Sequence, residues 1–190
     1  GPVRLGDLYQ SKIEHYVPYG MRGVLWDQGE SKTQVPGVAN QVVVMRALIT
    51  GWRKVWGQGD FHFLHVQKPS GGGCPWNPEN PVNRGAKKFN PQLPKIHLDR
   101  PNALAYPLEH VKIGTLPNAP LVTALDLGTG IHPANKSGYG HRACRVALGS
   151  AYGKKVAICG PVYRSHRVDG AKIRVSFDHL GQGLAFRHAE

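Results

Sequence analysis

No stretch of the 190 residues approaches the ~18 consecutive apolar residues of a membrane-spanning helix, so no such span is expected. The opening segment GPVRLGDLYQSK lacks the apolar core of a signal peptide. Cysteine is scarce: Cys74, Cys144 and Cys159 form no CxxC pair and no Cys/His metal spacing. Three cysteines are compatible with one disulfide or with three buried thiols, and the redox compartment stays open. Acidic residues are few, 12 against 24 Lys and Arg, which gives a formal charge of +12 and a pI near 9.9. Internal repeats and low-complexity tracts are absent.

Apolar residues make up 41% of the chain, enough for the core of one ordinary domain and the start of another. The basic residues do not cluster. They run from Arg4 to Arg187, and the densest stretches, 84–100 and 136–155, hold only pairs such as Lys87-Lys88 and Lys154-Lys155. No zinc-finger, RNP or basic-helix pattern accompanies them, which argues against a nucleic-acid partner. A basic site for an acidic sugar is a second reading of the charge, and a solvated basic surface is the preferred one.

Periodicity gives an alternating order of elements. Met21 to Trp26 reads as a buried strand leading into the polar loop DQGES. Val38, Val42, Met45, Leu48, Trp52 and Trp56 recur every three to four residues, which predicts an amphipathic helix over about 37–56. Phe61 to Val66 is the next strand. Residues 68–100 form a long Gly/Pro/Asn-rich loop of the kind that often binds. A helix over Ala103 to Leu116, a buried strand over Leu121 to Leu127, the loop GTGIHPANK and a helix over Tyr139 to Tyr152 follow. This order implies an α/β fold with a mainly parallel sheet, whose sites lie beyond the carboxyl ends of the strands. Near the end, Ile173, Val175 and Phe177 alternate with polar residues, which predicts an antiparallel hairpin strand partnered by GQGLAFRH.

Four ordered segments carry a resemblance. GVLWDQGES (Gly23 to Ser31), GWRKVWGQGDFHFLHVQ (Gly51 to Gln67), DLGTGIHPANK (Asp126 to Lys136) and the pair YGKKVAICGPVY and VSFDHLGQGL follow one another at the family spacing. Together they resemble the sialate O-acetylesterase family of SGNH-type carbohydrate esterases, from about Leu8 to Leu184. His62 stands where the family usually has proline. The resemblance implies an SGNH-hydrolase-like three-layer fold, incomplete at its N-terminus, over residues 1–160, with 161–190 beginning a β-rich region. It implies hydrolysis of acetyl esters on sugars by a Ser/His mechanism, without metal or organic cofactor. Secretion or a periplasmic location is expected from it as well, and the oligomeric state is left open.

On these motifs His132 matches the catalytic base, suited to take a serine proton and return it to the departing sugar oxygen. Gln28 matches the oxyanion-hole glutamine, an amide that donates without titrating. Asp126, six residues before His132, occupies the family's D-x-G position, whereas the acid that many members place two or three residues before the histidine is replaced by Thr129 and Gly130. Glu30 and Trp76 are candidate substrate contacts. No GQSN, GDS or GxSxG motif occurs, and Ser31 sits in the wrong motif to replace the nucleophile. Truncation of the upstream segment is the expected reason. The alternative is a non-catalytic carbohydrate-binding or interaction fragment of the same fold.

Overall fold

Asn40 starts the longest helix among the described residues. Its backbone is extended and its side chain accepts the Val42 N–H (2.8 Å), which satisfies a donor that a helix start leaves unpaired. In the computed structural model, which describes Arg4, residues 6–28, Gly37 and residues 40–68, 105–125 and 136–184, this helix (α2) spans Gln41–Trp56. It therefore begins four residues later than the periodicity predicts, because Asn40 is not helical. Gly57 ends it at φ 65°, a conformation that glycine takes without strain. A carboxylate oxygen of Glu109 accepts the Gln41 N–H (2.8 Å), placing a negative group at the positive end of the helix.

The other elements follow in order. A short helix α1 (Asp7–Lys12) and a single 3-10 turn precede strand β1 (Gly23–Trp26). Strand β2 (His62–Val66) follows α2, then helix α3 (Ala105–Ile113), the two-residue strand β3 (Leu121–Val122) and helix α4 (Lys136–Ser150). Among the described residues the main sheet has the order β1-β2-β3 and both pairings are parallel. Gly23 lies opposite His62, and a Cβ on it would fall 2.6 Å from the His62 carbonyl oxygen. Only glycine permits that approach.

Strand β2 lies in the middle and is buried on both faces, which is why its sequence does not alternate polar with apolar. Leu64 and Val66 pack with Val122, Ala124, Tyr139, Ala143 and Val146, so α4 covers one face. Phe63 packs with Met45, Ile49, Trp56, Ile113 and Ala119, so α2 and α3 cover the other. The result is three layers, as expected. Trp26, Trp52, Trp56 and Phe63 form an aromatic cluster on the α2 side, with ring centroids 5.1–6.1 Å apart. Arg53 ties this side together: its Nη2 donates to Phe61 O (2.8 Å) and Pro117 O (2.9 Å).

Other expected boundaries shift as well, among them that of α4, expected over Tyr139 to Tyr152 and found at Lys136–Ser150. Strand β3 pairs over Leu121 and Val122 alone, since its neighbour β2 ends at Val66, and Thr123 to Leu125 leave the sheet. Helix α3 ends at Ile113, where Thr115 and Leu116 turn back to the Lys112 and Ile113 carbonyls. The hairpin needs a larger correction. Strand β5 (Lys172–Asp178) pairs with the preceding segment β4 (Val162–Asp169); of the expected partner GQGLAFRH, residues 181–184 are not in a strand and 185–188 lie outside the described residues. The two-residue turn Gly170-Ala171 closes it, with Gly170 at φ 59°. The hairpin is a separate antiparallel sheet, and β4 is exposed along its whole length.

Candidate active site

Parallel strands deliver their following loops to one edge of the sheet. Here Asp27 and Gln28 leave β1, Gln67 and Lys68 leave β2, and Thr123 to Leu125 leave β3 at that edge. Gln28, the expected oxyanion donor, is exposed just beyond the carboxyl end of β1. Chain from Leu125 runs directly into the segment that contains Asp126 and His132. Those two residues, with Glu30 and Trp76, lie outside the described residues.

The described floor of the site is polar and tightly braced. The Lys68 side chain is 0% exposed, and its ammonium pairs with the Asp27 carboxylate next to Gln28. Gln67, also buried, accepts the Ala124 N–H through its side-chain oxygen (3.4 Å). Arg142, on α4, donates to the Thr123 carbonyl (2.9 Å). Each exit from the sheet is thus held by a side chain from a neighbouring element.

Lys68, Asp27 and Gln67 were not singled out by the sequence as bracing groups. A lysine directly after the apolar run FHFLHVQ is the signal that was available. A charge there is either solvated or, as found, buried on a carboxylate from the next strand.

Among the described residues, three other titratable groups are shifted by their surroundings. His65 is buried on the α3 side. Its Nε2 contacts the His110 carbonyl oxygen (3.0 Å), and its ring stacks at 5.9 Å on that of His110. Burial holds its pKa below the ordinary histidine value, against the raising effect of the His110 and Ala119 backbone. His62, at the opposite end of β2, is lowered by burial and then by Arg22 and Arg53. A cavity of about 460 Å³ lies near the C-terminal end of α4, lined by Gly149, Lys154, Val156, Ile158, Cys159 and His179. Burial pushes the pKa of the Cys159 thiol up. Among the described residues no group of three or more His, Cys, Asp or Glu side chains is placed to hold a metal, and no helix is long and apolar enough to cross a membrane.

No family model matches the chain, and no curated protein matches it. A solved structure does: a carbohydrate acetylesterase from Xanthomonas citri, 27% identical, with a TM-score of 0.67. The match covers 92% of this chain and 36% of that one, so the chain spans about a third of its relative's length. The likeness supports a relationship to carbohydrate esterases. The layered α/β fold, with its parallel sheet and added antiparallel hairpin, is of the hydrolase kind expected.

Proposed function

We propose that this chain forms part of a carbohydrate O-acetylesterase of the sialate O-acetylesterase type, acting on acetylated sugars. The observation that carries the reading is the likeness to a carbohydrate acetylesterase over 92% of the chain. The placement of Gln28 and of Thr123 to Leu125 at one edge of the sheet is in keeping with it. In this reading the nucleophilic serine comes from a segment outside these 190 residues. Its hydroxyl oxygen attacks the acetyl carbonyl while His132 takes the proton. The Gln28 amide donates to the tetrahedral oxyanion. Collapse breaks the bond to the sugar oxygen, which receives the proton from His132. Water, deprotonated by the same histidine, then releases acetate from the serine. Asp126 orients the imidazole, and Glu30 and Trp76 contact the sugar. Such an enzyme works in secretion or in the periplasm and requires no organic cofactor or metal.

Acetate release by the full-length protein, from an aryl acetate and from O-acetylated sialic acid, tests this. His132→Ala is expected to lower kcat by about 10³-fold or more, and Gln28→Ala by about 10²–10³-fold. Undiminished turnover by His132→Ala would overturn the assignment. Sugar binding without turnover in the unaltered protein would favour a non-catalytic carbohydrate-binding role.

A further inference from the structure

At the end of β2 two consecutive side chains reach toward opposite neighbours. Gln67 holds the exit of β3 through the Ala124 N–H, and Lys68 holds the exit of β1 through the Asp27 carboxylate. The two partners of the ion pair are unequal. Lys68 is fully buried, whereas the Asp27 side chain is 37% exposed. A fully buried ammonium loses its hydration, and replacing a buried ion pair by apolar side chains is often neutral or stabilising. The pair is therefore a weak stability device. What it supplies is direction: a charge fixed in the core dictates where Asp27, and so the peptide entering Gln28, leaves the sheet.

We infer that Lys68 is a positioning residue for Gln28, holding through Asp27 the amide that stabilises the oxyanion. Gln67 does the corresponding work at the exit of β3, so the two residues together hold the chain leaving β1 and β3 on either side of β2. The inference rests on the esterase reading, because it needs Gln28 to act on the reacting atoms.

A double-mutant cycle in the full-length protein, read with 4-nitrophenyl acetate, tests it. Lys68→Met is expected to lower kcat about 10–100-fold, a fraction of what loss of an oxyanion donor costs, with KM changed by less than about twofold. Added to Gln28→Ala, the same change is expected to cost less than about threefold, because a residue acting through Gln28 has nothing left to position. The pair Asp27→Leu with Lys68→Met removes both charges. It is expected to melt no lower than the unaltered protein and still show the reduced kcat, and it carries the cycle if Lys68→Met alone fails to fold. Equal losses with and without Gln28, or full kcat in the charge-free pair, would overturn the inference and leave the esterase reading standing. Unchanged kcat in Gln28→Ala alone would sink the oxyanion role and this inference together.

Discussion

Gly23 and His62 lie opposite each other in β1 and β2, and the 2.6 Å that a Cβ would face there leaves no room for a methyl group. The obstacle is backbone, which cannot swing aside. Gly23→Ala is expected to destabilise the fold by about 1–3 kcal/mol, the range for overpacking, measured as a lower urea midpoint with an unchanged slope. His65 makes a second prediction. Its imidazole is buried and its pKa is lowered, so between that value and the unfolded one near 6.5 the unfolded chain binds more protons. The stability tied to neutral His65 is present above pH 6.5 and is lost as pH falls through the folded value. His62 has the same sign, weakened by its partial exposure. Urea midpoints should fall from pH 7.5 to pH 5.5, and His65→Gln should flatten the fall; an unaltered profile would show that other groups control it. Single residues also mark how far the candidate site was legible. Gln28 announced itself through its motif, and it lies just beyond the carboxyl end of β1. Lys68 did not, because nothing local distinguishes a buried lysine from a solvated one. Its partner is 41 residues away in sequence, and only the parallel pairing of β1 with β2 joins them.

Elements were legible where the period of the side chains matched one face. Helix α2 packs Met45, Ile49 and Trp56 into the core at helical spacing, and β2 was recognisable as a short, largely apolar run. Strand β4 was missed for a physical reason. The register shifts between Tyr163 and Ser165, so an irregularity breaks the two-residue alternation that marks a strand. Past it, Val168 faces Ile173 and His166 faces Val175, which gives the hairpin one apolar face. That face is exposed: Val168 is 73% and Ile173 67% accessible. Beta-strand β3 was read too long because apolar LVTALDL does not reveal that its neighbour stops at Val66. Caps were the weakest signal, since Asn40 interrupts no pattern. Its role yields a prediction at this scale. Asn40→Ala leaves the Val42 N–H without its acceptor and should cost about 1 kcal/mol, or roughly 2–4 °C in Tm. Asn40→Asp should retain most of the stability, and a thermal melt showing equal losses for both would exclude the capping role.

Across the whole molecule, the formal charge of +12 poses the question of what so many basic groups are for. Among the described residues, many of them bond to the protein itself. Arg22 donates to Ala151 O (3.0 Å), Arg145 to Ala157 O (3.0 Å), Arg142 to Thr123 O (2.9 Å) and Arg53 to Phe61 O (2.8 Å). These guanidiniums cross from one element to another and satisfy carbonyls that loops leave without a strand partner, a use for which a planar fork of donors suits arginine better than lysine. On the hairpin, Arg174 pairs with Asp169 (2.8 Å) and Arg164 with Asp178 (3.6 Å), so acidic groups accompany basic ones there. A nucleic-acid surface requires the reverse, a stripe of cations free to replace counterions along a phosphate backbone. Among the described residues, the basic groups named above are bonded to the protein itself, and a dispersed, solvated basic surface is the reading put to the test. Binding to a fluorescent duplex is therefore expected to be weak at low salt and absent at about 0.15 M, with a shallow dependence on salt because few phosphates are neutralised at once. Retention of tight binding at that salt, with a slope of log K on log salt steeper than about −5, would mean that at least five or six cations act together, and the dispersed-surface reading would fall.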